Sequence, residues 1–254
     1  MSAIAGSVAG MVAGARDGRI VRRVVRSRAA PLEREWPATI PAVAQVLAGG
    51  LELRRGVTLL VGENGSGKST LVEALAMAYG LGAEGGTANL RVGTRPSESP
   101  LHDWITLERS PGAPRWGFFL RAETMHGWFT RLEAFDESGA DSGLHEMSHG
   151  ESFLEVLRTR FRQPGLYLLD EPEAALSFRA QVALVSVLHE LGDIGAQVVC
   201  ATHSPLLAAL PGATILELGD HGLREVAWSE LDLVTHWRAY LDEPMRYLRH
   251  VLDD

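Results

Sequence analysis

Short apolar runs alternate with amphipathic stretches along most of the chain. Three of these runs are rich in aliphatic residues and are followed by glycine or polar residues, which is typical of buried strands in a parallel sheet. They are residues 57–61, 165–169 and 197–201. Residues 71–78 are rich in Ala and Leu and have helical periodicity. This alternation predicts an α/β fold with a mainly parallel sheet flanked by helices.

The rest of the pattern divides the chain into an arm and one domain. We predict a disordered basic arm over residues 1–30 and a single domain over residues 31–254. Within the domain we expect an opening antiparallel β layer (32–62), a Gly-rich loop (81–99), a β segment (104–121) and a small helical insert (123–163). Near the C-terminus, four residues at helical spacing predict a helix that docks onto the core. They are Tyr247, Leu248, Val251 and Leu252.

Composition excludes several classes of protein. The chain has 254 residues, of which 46% are hydrophobic and 22% charged, as in soluble globular proteins. Its apolar runs are shorter than the ~18–20 residues that span a bilayer, which excludes an integral membrane protein. The single cysteine, Cys200, excludes an intrachain disulfide and is interpreted as a core residue. Since a convincing signal peptide is also absent, we expect a cytoplasmic protein.

The charges are distributed unevenly. The formal net charge is −8, but residues 16–28 carry six arginines and one aspartate (+5), which leaves −13 for the rest of the chain. An acidic body argues against a broad nucleic-acid-binding face, although the basic arm leaves phosphate contacts open. The cations are 23 arginines and one lysine, Lys68. An ammonium is compact, whereas a guanidinium is a wide fork. The one lysine therefore indicates a tight site in which the side chain must supply a small positive charge.

Lys68 lies in a glycine-rich stretch between a predicted strand and a predicted helix. Residues 62–70 follow the pattern G-x-x-x-x-G-K-S, the P-loop, in its required strand–loop–helix context. Glycines let the backbone approach phosphates closely, Lys68 reaches the β- and γ-phosphates, and the Ser69 hydroxyl ligates Mg²⁺. The predicted nucleotide-binding residues are Gly62, Glu63, Asn64, Gly65, Ser66, Gly67, Lys68, Ser69 and Thr70.

Three further motifs fit around this loop. Asp170 and Glu171 end a predicted strand, where Asp170 suits a Mg²⁺-linked role and Glu171 can polarise an attacking water. Residues 148–152 precede a helical stretch and supply a hydroxyl and a glycine backbone for a second anion site. His203 follows another predicted strand, where it either hydrogen-bonds a γ-phosphate or water or has a structural role.

The order of these motifs resembles that of the ABC-class P-loop ATPases. Residues 62–70 resemble Walker A, 148–152 the signature motif, 166–171 Walker B, 173–177 the D-loop and His203 the switch histidine. Within the class, the chain is more similar to the soluble SMC/RecF-like branch, in particular to small bacterial AAA-family (AAA_21-like) ATPases. The resemblance implies ATP and Mg²⁺ as ligands and a head-to-tail dimer in which Ser148 and Gly150 face the γ-phosphate held by the other subunit. It assigns Glu171 to orient water and His203 to stabilise the transferring phosphoryl group.

Three positions need separate treatment. No glutamine lies between Lys68 and Ser148, so the glutamine of the ABC Q-loop is missing, and Glu123 or Arg121 is expected in its place. Glu123 is therefore an additional candidate metal ligand. Trp36 resembles the aromatic residue that stacks on adenine, and the alternative is a core or loop aromatic.

We therefore predict a soluble ABC-type ATPase that forms an ATP-dependent homodimer and works with a further protein partner that the sequence does not identify. Direct membrane insertion is not expected, and nucleic acid is an open but not indicated partner. Three alternatives stay open, namely the ATPase subunit of a membrane transporter, a nucleotide-gated binding module and a DNA-maintenance ATPase. Turnover per bound nucleotide and stimulation of turnover by DNA would distinguish them.

Overall fold

Strands and helices alternate through the part of the chain that the computed structural model describes, which comprises residues 18–31, 35–82, 85, 99–121, 154, 157, 162–174 and 176–252. The strands are β1 (Val21–Arg26), β2 (Leu51–Glu52), β3 (Gly56–Gly62), β4 (Ile105–Arg109), β5 (Gly117–Arg121), β6 (Leu166–Asp170), β7 (Gln197–Thr202), β8 (Thr214–Gly219) and β9 (Gly222–Glu225). The helices are α1 (Pro41–Gly49), α2 (Lys68–Tyr79), α3 (Leu101–Trp104), α4 (Phe178–Asp193), α5 (Pro205–Ala208), α6 (Asp232–Asp242) and α7 (Met245–Leu252), with a 3₁₀ turn at Trp228–Glu230.

The strands form two sheets. The larger has the order β5-β6-β7-β3-β8-β9, and its strands pair in parallel except for the antiparallel β8–β9 pair. The smaller is antiparallel, with the order β2-β1-β4. This confirms the predicted α/β fold with a mainly parallel sheet and an antiparallel layer. Because β3, β6 and β7 run parallel, their carboxyl ends meet at one edge of the sheet, where ligands bind in open α/β folds.

The larger sheet separates two apolar cores. On one face, α2 and the smaller sheet cover residues such as Leu60, Phe119 and Leu168. On the other face, α4 covers residues such as Leu59 and Tyr167. All five side chains are fully buried. A sheet that is buried on both faces explains why its strands are continuous apolar runs without alternation.

The prediction of a disordered arm over residues 1–30 is wrong for residues 21–26, which form β1 at the centre of the smaller sheet. Val21 and Val24 are buried, while Arg22 and Arg23 are exposed. Arginines on the solvent face of a strand that buries only its other face produce a stretch that looks like a charged tail. Residues 1–17 lie outside the described residues.

Gln197, the first residue of β7, joins the two sheets. Its side-chain Oε1 accepts hydrogen bonds from the backbone N–H groups of Ile20 (3.0 Å) and Val21 (2.8 Å). Its Nε2 donates to the carbonyl oxygens of Val21 and Arg54, both at 2.9 Å. The buried side-chain amide of Gln197 thus makes all four of its hydrogen bonds, and those to Ile20 and Val21 hold β1 against the start of β7.

Two further predictions need correction. The segment predicted as a β layer over 32–62 contains α1, which begins at Pro41, a favoured residue in the first helical turn. The C-terminal stripe was expected to dock onto the core, but Val251 and Leu252 are exposed and α7 packs against α6. Within the described ranges, no helix combines the length and the apolar character needed to cross a membrane. Most of the predicted loop at 81–99 and insert at 123–163 lies outside the described residues.

Candidate functional site

The P-loop connects β3, one of the two central strands of the larger sheet, to the first turn of α2. Gly65 and Gly67 have φ angles of 83° and 98°, in the left-handed region that favours glycine. Lys68 is the first residue of α2 and is buried. Its Nζ donates to the carbonyl oxygens of Gly62 (2.7 Å) and Glu63 (2.9 Å). The loop therefore wraps around the ammonium group at the positive end of the helix dipole.

The geometry of this loop fits a phosphate group. A Cβ at Gly62 would collide with the carbonyl oxygen of Leu218 and would lie 2.9 Å from Ser66 Oγ, so glycine is required there. Ser66 Oγ is buried without a hydrogen-bond partner, which indicates that a polar group is expected beside it. Together with the lysine and the helix N-terminus, the loop supplies the donors that an anion of this size needs.

Asp170 and Glu171 lie beside the P-loop because β6 ends there. Asp170 is the last residue of β6 and is buried. Glu171 follows with a φ of 49°, and its N–H donates to the carbonyl oxygen of Ala201 at 3.0 Å. A left-handed conformation is costly for glutamate, and such strain occurs most often at functional sites. It directs the chain away from the sheet immediately after the strand and leaves the Glu171 carboxylate partly exposed.

His203 faces Glu171 from the end of β7. Its Nδ1 lies 3.6 Å from Glu171 Oε1 and 3.8 Å from Glu173 Oε1. Glu173 is buried, and its Oε1 accepts hydrogen bonds from the His203 N–H (2.8 Å) and from the Thr202 hydroxyl (2.5 Å). Glu173 thus fixes the backbone from which the His203 side chain extends. The two residues predicted to be catalytic lie together.

Several carboxylates lie near the Lys68 ammonium. Burial lowers the pKa of Lys68, while the nearby carboxylates of Glu171, Asp170 and Glu173 act in the opposite direction. Burial raises the pKa of the Cys200 thiol on β7, and the same carboxylates of Glu173 and Asp170 raise it further. Cys200 is fully buried, which agrees with its interpretation as a core residue.

The arrangement suits a Mg²⁺ ion that arrives with phosphates. Ser69 lies in the first turn of α2, and Asp170 lies at the end of β6. Among the described residues, no group of three or more His, Cys, Asp or Glu side chains is arranged to hold a metal ion by itself. Mg²⁺ is usually bound by one or two protein oxygens together with substrate phosphates, so Ser69 and Asp170 fit such an ion.

Some predicted site residues cannot be placed. Ser148, Gly150 and Glu123 lie outside the described residues. Trp36 is described and is 54% exposed, so it is not a core residue. It precedes Ile40, whose Cγ2 would lie 2.9 Å from a Cβ at Gly67. The segment that carries Trp36 therefore leads to the P-loop.

Sequence reasoning missed two parts of the site. Glu173 was noted only as part of a D-loop-like stretch, although its burial and hydrogen bonds make it the residue that holds His203. Glu73 on α2 was not singled out, although its Oε2 accepts a hydrogen bond from Arg121 NH1 at 2.8 Å. Arg121 Nε in turn lies 3.6 Å from Asp170 Oδ2. A charged residue on an apolar helix was the available signal for Glu73.

Comparisons with known proteins agree with this geometry. A family model described as "ABC transporter" matches residues 50–174. A second, described as "AAA domain, putative AbiEii toxin, Type IV TA system", matches residues 144–209. Over these residues the chain is similar to ABC-class P-loop ATPases. The zinc import ATP-binding protein ZnuC of Vibrio cholerae is 30% identical to this chain over 158 residues, which are 60% of this chain and 59% of that protein.

Solved structures of ABC-class proteins and SMC heads are also similar to this chain. CbiO1 from Clostridium perfringens, described as part of the ABC transporter complex CbiONQ, has 16% identity and a TM-score of 0.43, covering 81% of this chain and 90% of that one. The SMC head domain from Thermotoga maritima has 15% identity and a TM-score of 0.40, covering 70% and 92%. The chain spans 53–61% of the length of the curated relatives it matches.

Proposed function

We propose that this chain binds ATP with Mg²⁺ and hydrolyses it to ADP and inorganic phosphate. The proposal is based on four side-chain groups that lie close together at one edge of the larger sheet. They are the P-loop ammonium of Lys68, the carboxylates of Asp170 and Glu171, and the His203 imidazole. This set combines a loop that binds phosphates, a carboxylate that holds the metal, a carboxylate that orients the attacking water and an imidazole that stabilises the transferring phosphoryl group.

Each side chain has a defined task in this proposal. Lys68 and the N-terminus of α2 hold the β- and γ-phosphates, and Ser69 and Asp170 hold Mg²⁺, which neutralises phosphate charge when it is bound. Glu171 accepts a hydrogen bond from the water that attacks the γ-phosphorus. As the new bond forms, the bond from the γ-phosphorus to the bridging oxygen breaks and ADP leaves. His203 stabilises the charge on the transferring group.

The second part of the proposal is an ATP-dependent head-to-tail dimer. The Lys68 site lies at an open edge of the sheet, and Glu171 and His203 are partly exposed there. A second subunit would complete the site by placing Ser148 and Gly150 against the γ-phosphate, as the ABC resemblance implies. Trp36 would stack on the adenine, and Glu123 would be an additional Mg²⁺ ligand.

The variant Glu171→Gln tests both parts. Its shape is conserved but the carboxylate charge is lost, so nucleotide binding should survive while hydrolysis falls by ~10²-fold or more. With the ATP state persisting, the variant should be dimeric with ATP and Mg²⁺ and monomeric with ADP, as measured by light scattering. Normal hydrolysis would contradict the assignment of Glu171, and a monomer with ATP bound would contradict the dimer.

Two further variants serve as controls. Adding Ser148→Arg to Glu171→Gln should restore the monomer with either nucleotide, because a bulky side chain blocks the second anion site. Glu225→Gln removes an exposed carboxylate that pairs with Arg54, far along the chain from the site motifs. It should match the wild type both in its rate of ATP hydrolysis and in its oligomeric state with ATP.

A second candidate function is that of the ATPase subunit of a membrane transporter. The observation that favours it is the 30% identity to a protein named for zinc import. The missing glutamine between Lys68 and Ser148 argues for a different coupling route. Purification of Glu171→Gln with ATP from detergent-solubilised membranes tests this candidate. Stoichiometric recovery of an integral membrane permease would favour the transporter, and recovery of the homodimer alone would favour a soluble ATPase.

A further inference from the structure

Arg121, at the end of β5, connects two acidic side chains that belong to different elements. Its NH1 donates to Glu73 Oε2 at 2.8 Å, and its Nε lies 3.6 Å from Asp170 Oδ2. The parallel register of β5 and β6 places Arg121 directly opposite Asp170. Both carboxylates are largely buried, so water screens this charge cluster only weakly.

The position of Glu73 relates this cluster to the metal-binding hydroxyl. Glu73 follows Ser69 by four residues in α2, so the two side chains lie on the same face of the helix, one turn apart. The ends of the Arg121 guanidinium therefore reach the helix that carries Ser69 and the strand that carries Asp170. A guanidinium can do this because its donors are arranged in a rigid fork, which a lysine ammonium lacks.

We propose that Arg121 is a positioning residue that orients the Asp170 carboxylate, and that its charge, offset by Glu73, sets the Mg²⁺ concentration at which the site binds nucleotide. This inference rests on the proposed function, since it concerns the same nucleotide site. The positive charge of Arg121 beside Asp170 opposes a divalent cation, and the negative charge of Glu73 reduces that opposition. Arg121 would therefore hold the Asp170 carboxylate in one orientation, and Glu73 would limit the loss of Mg²⁺ affinity that the positive charge of Arg121 causes.

The proposal predicts shifts of opposite sign for the two partners. Arg121→Gln removes the opposing positive charge, so the Mg²⁺ concentration for half-maximal binding of a fluorescent ADP should fall about fivefold. Glu73→Gln removes a negative charge beside Arg121, so the same concentration should rise about fivefold. The double variant removes one charge of each sign and should return to within about twofold of the wild type. ADP is the probe, so the readout does not depend on turnover.

A conservative variant separates charge from orientation. Arg121→Lys keeps the positive charge but loses the fork, so its Mg²⁺ midpoint should remain within about twofold of the wild type. Its rate of ATP hydrolysis at saturating Mg²⁺ should fall about tenfold, because Asp170 is no longer held in one orientation. If Glu73→Gln proves too unstable to measure, the two Arg121 variants still give different expectations: the midpoint falls about fivefold for Arg121→Gln and stays near the wild-type value for Arg121→Lys.

Arg54→Gln is the matched control, because it breaks an ion pair of the same 2.8 Å length, with Glu225, on the surface. Its Mg²⁺ midpoint should equal that of the wild type. Midpoints for Arg121→Gln and Glu73→Gln that stay within twofold of the wild type, or that shift in the same direction, would overturn the inference and leave the proposed function intact. A wild-type protein that binds no Mg²⁺–ADP would overturn both.

Discussion

Lys68 buries an ammonium group, which costs folding free energy, and it is the side chain proposed to bind the phosphates of ATP. Its burial lowers its pKa, which means that the folded protein disfavours the ammonium relative to water. Two loop carbonyls at 2.7 and 2.9 Å and four nearby carboxylates compensate for part of this cost. A residue retained at such a cost is expected to be needed for the ligand.

Lys68→Ala should therefore abolish ATP binding while the nucleotide-free protein stays folded. We expect its melting temperature to change by no more than about 4 °C, since loss of the carbonyl contacts is offset by loss of a buried charge. Lys68→Arg should also fail to bind, because the guanidinium is too wide for the loop. Equilibrium binding of a fluorescent ATP analogue and thermal unfolding measure the two effects. Near-normal affinity in either variant would contradict the P-loop assignment.

Glu173 is predicted to act on hydrolysis through His203. Replacing it with Gln removes the charge that accepts hydrogen bonds from the Thr202 hydroxyl and the His203 N–H, and so loosens the segment that carries the imidazole. We expect kcat for ATP hydrolysis to fall about tenfold with KM changed by less than about threefold. Glu190→Gln, in the exposed part of α4, is the control and should leave both constants unchanged. A rise in KM alone would show that Glu173 acts on binding and not on the histidine.

The strand–loop–helix structure around the P-loop was predictable from sequence because its residues are contiguous. Residues 62–70 contain the whole cradle, and the strand and helix on either side follow from their own periodicity. The contact between Glu73 and Arg121 could not be predicted in this way, since 48 residues separate them and only the packing of α2 against the larger sheet brings them together. The same holds for Glu173 and His203, which lie on different strand ends.

At the scale of whole elements, β1 and α1 show where local patterns mislead. Three of the six residues of β1 are arginines, and only its partners β2 and β4 explain why Val21 and Val24 face a core. The apolar residues of α1 look like those of a strand layer, but Ala42, Val43 and Val46 are buried at helical spacing. The central strands were predictable because both of their faces are buried, which leaves a continuous apolar run.

The attachment of β1 through Gln197 gives a stability prediction. Gln197→Ala removes four hydrogen bonds and leaves two buried backbone N–H groups without partners. Such groups cost roughly 1–3 kcal/mol each, so the melting temperature should fall by about 5–10 °C. Gln45→Ala is the control, because that amide makes two hydrogen bonds to the backbone of partly buried Leu223 on the edge strand β9, and its loss should cost less than half as much. Equal shifts for the two variants would contradict the role of Gln197.

At the scale of the whole molecule, the sheet edge that carries the candidate site and the C-terminal helices differ in their burial. The edge is supported by two apolar cores on either face of the larger sheet. The helices α6 and α7 expose Trp237, Leu241 and Met245 and contact each other through an exposed hydrogen bond of 3.0 Å between His236 and Tyr247. Sequence periodicity predicted helical character at the C-terminus, but it could not show that few core residues remain available for α7 to cover.

The placement of β3 between β7 and β8 has a consequence for the order in which the molecule opens. Amide hydrogens in β3, β6 and β7 should exchange with deuterium only when the whole domain unfolds, whereas those of α7 and β9 should exchange through local fluctuations. The phosphate loop is thus attached to the slowest-exchanging part of the chain, although the loop itself is open to solvent. Mass spectrometry should show that Mg²⁺–ADP slows deuterium uptake at residues 63–67. Uptake in β3, β6 and β7 should already be slow without the nucleotide. Uptake in β3 as fast as that in β9 would contradict this order.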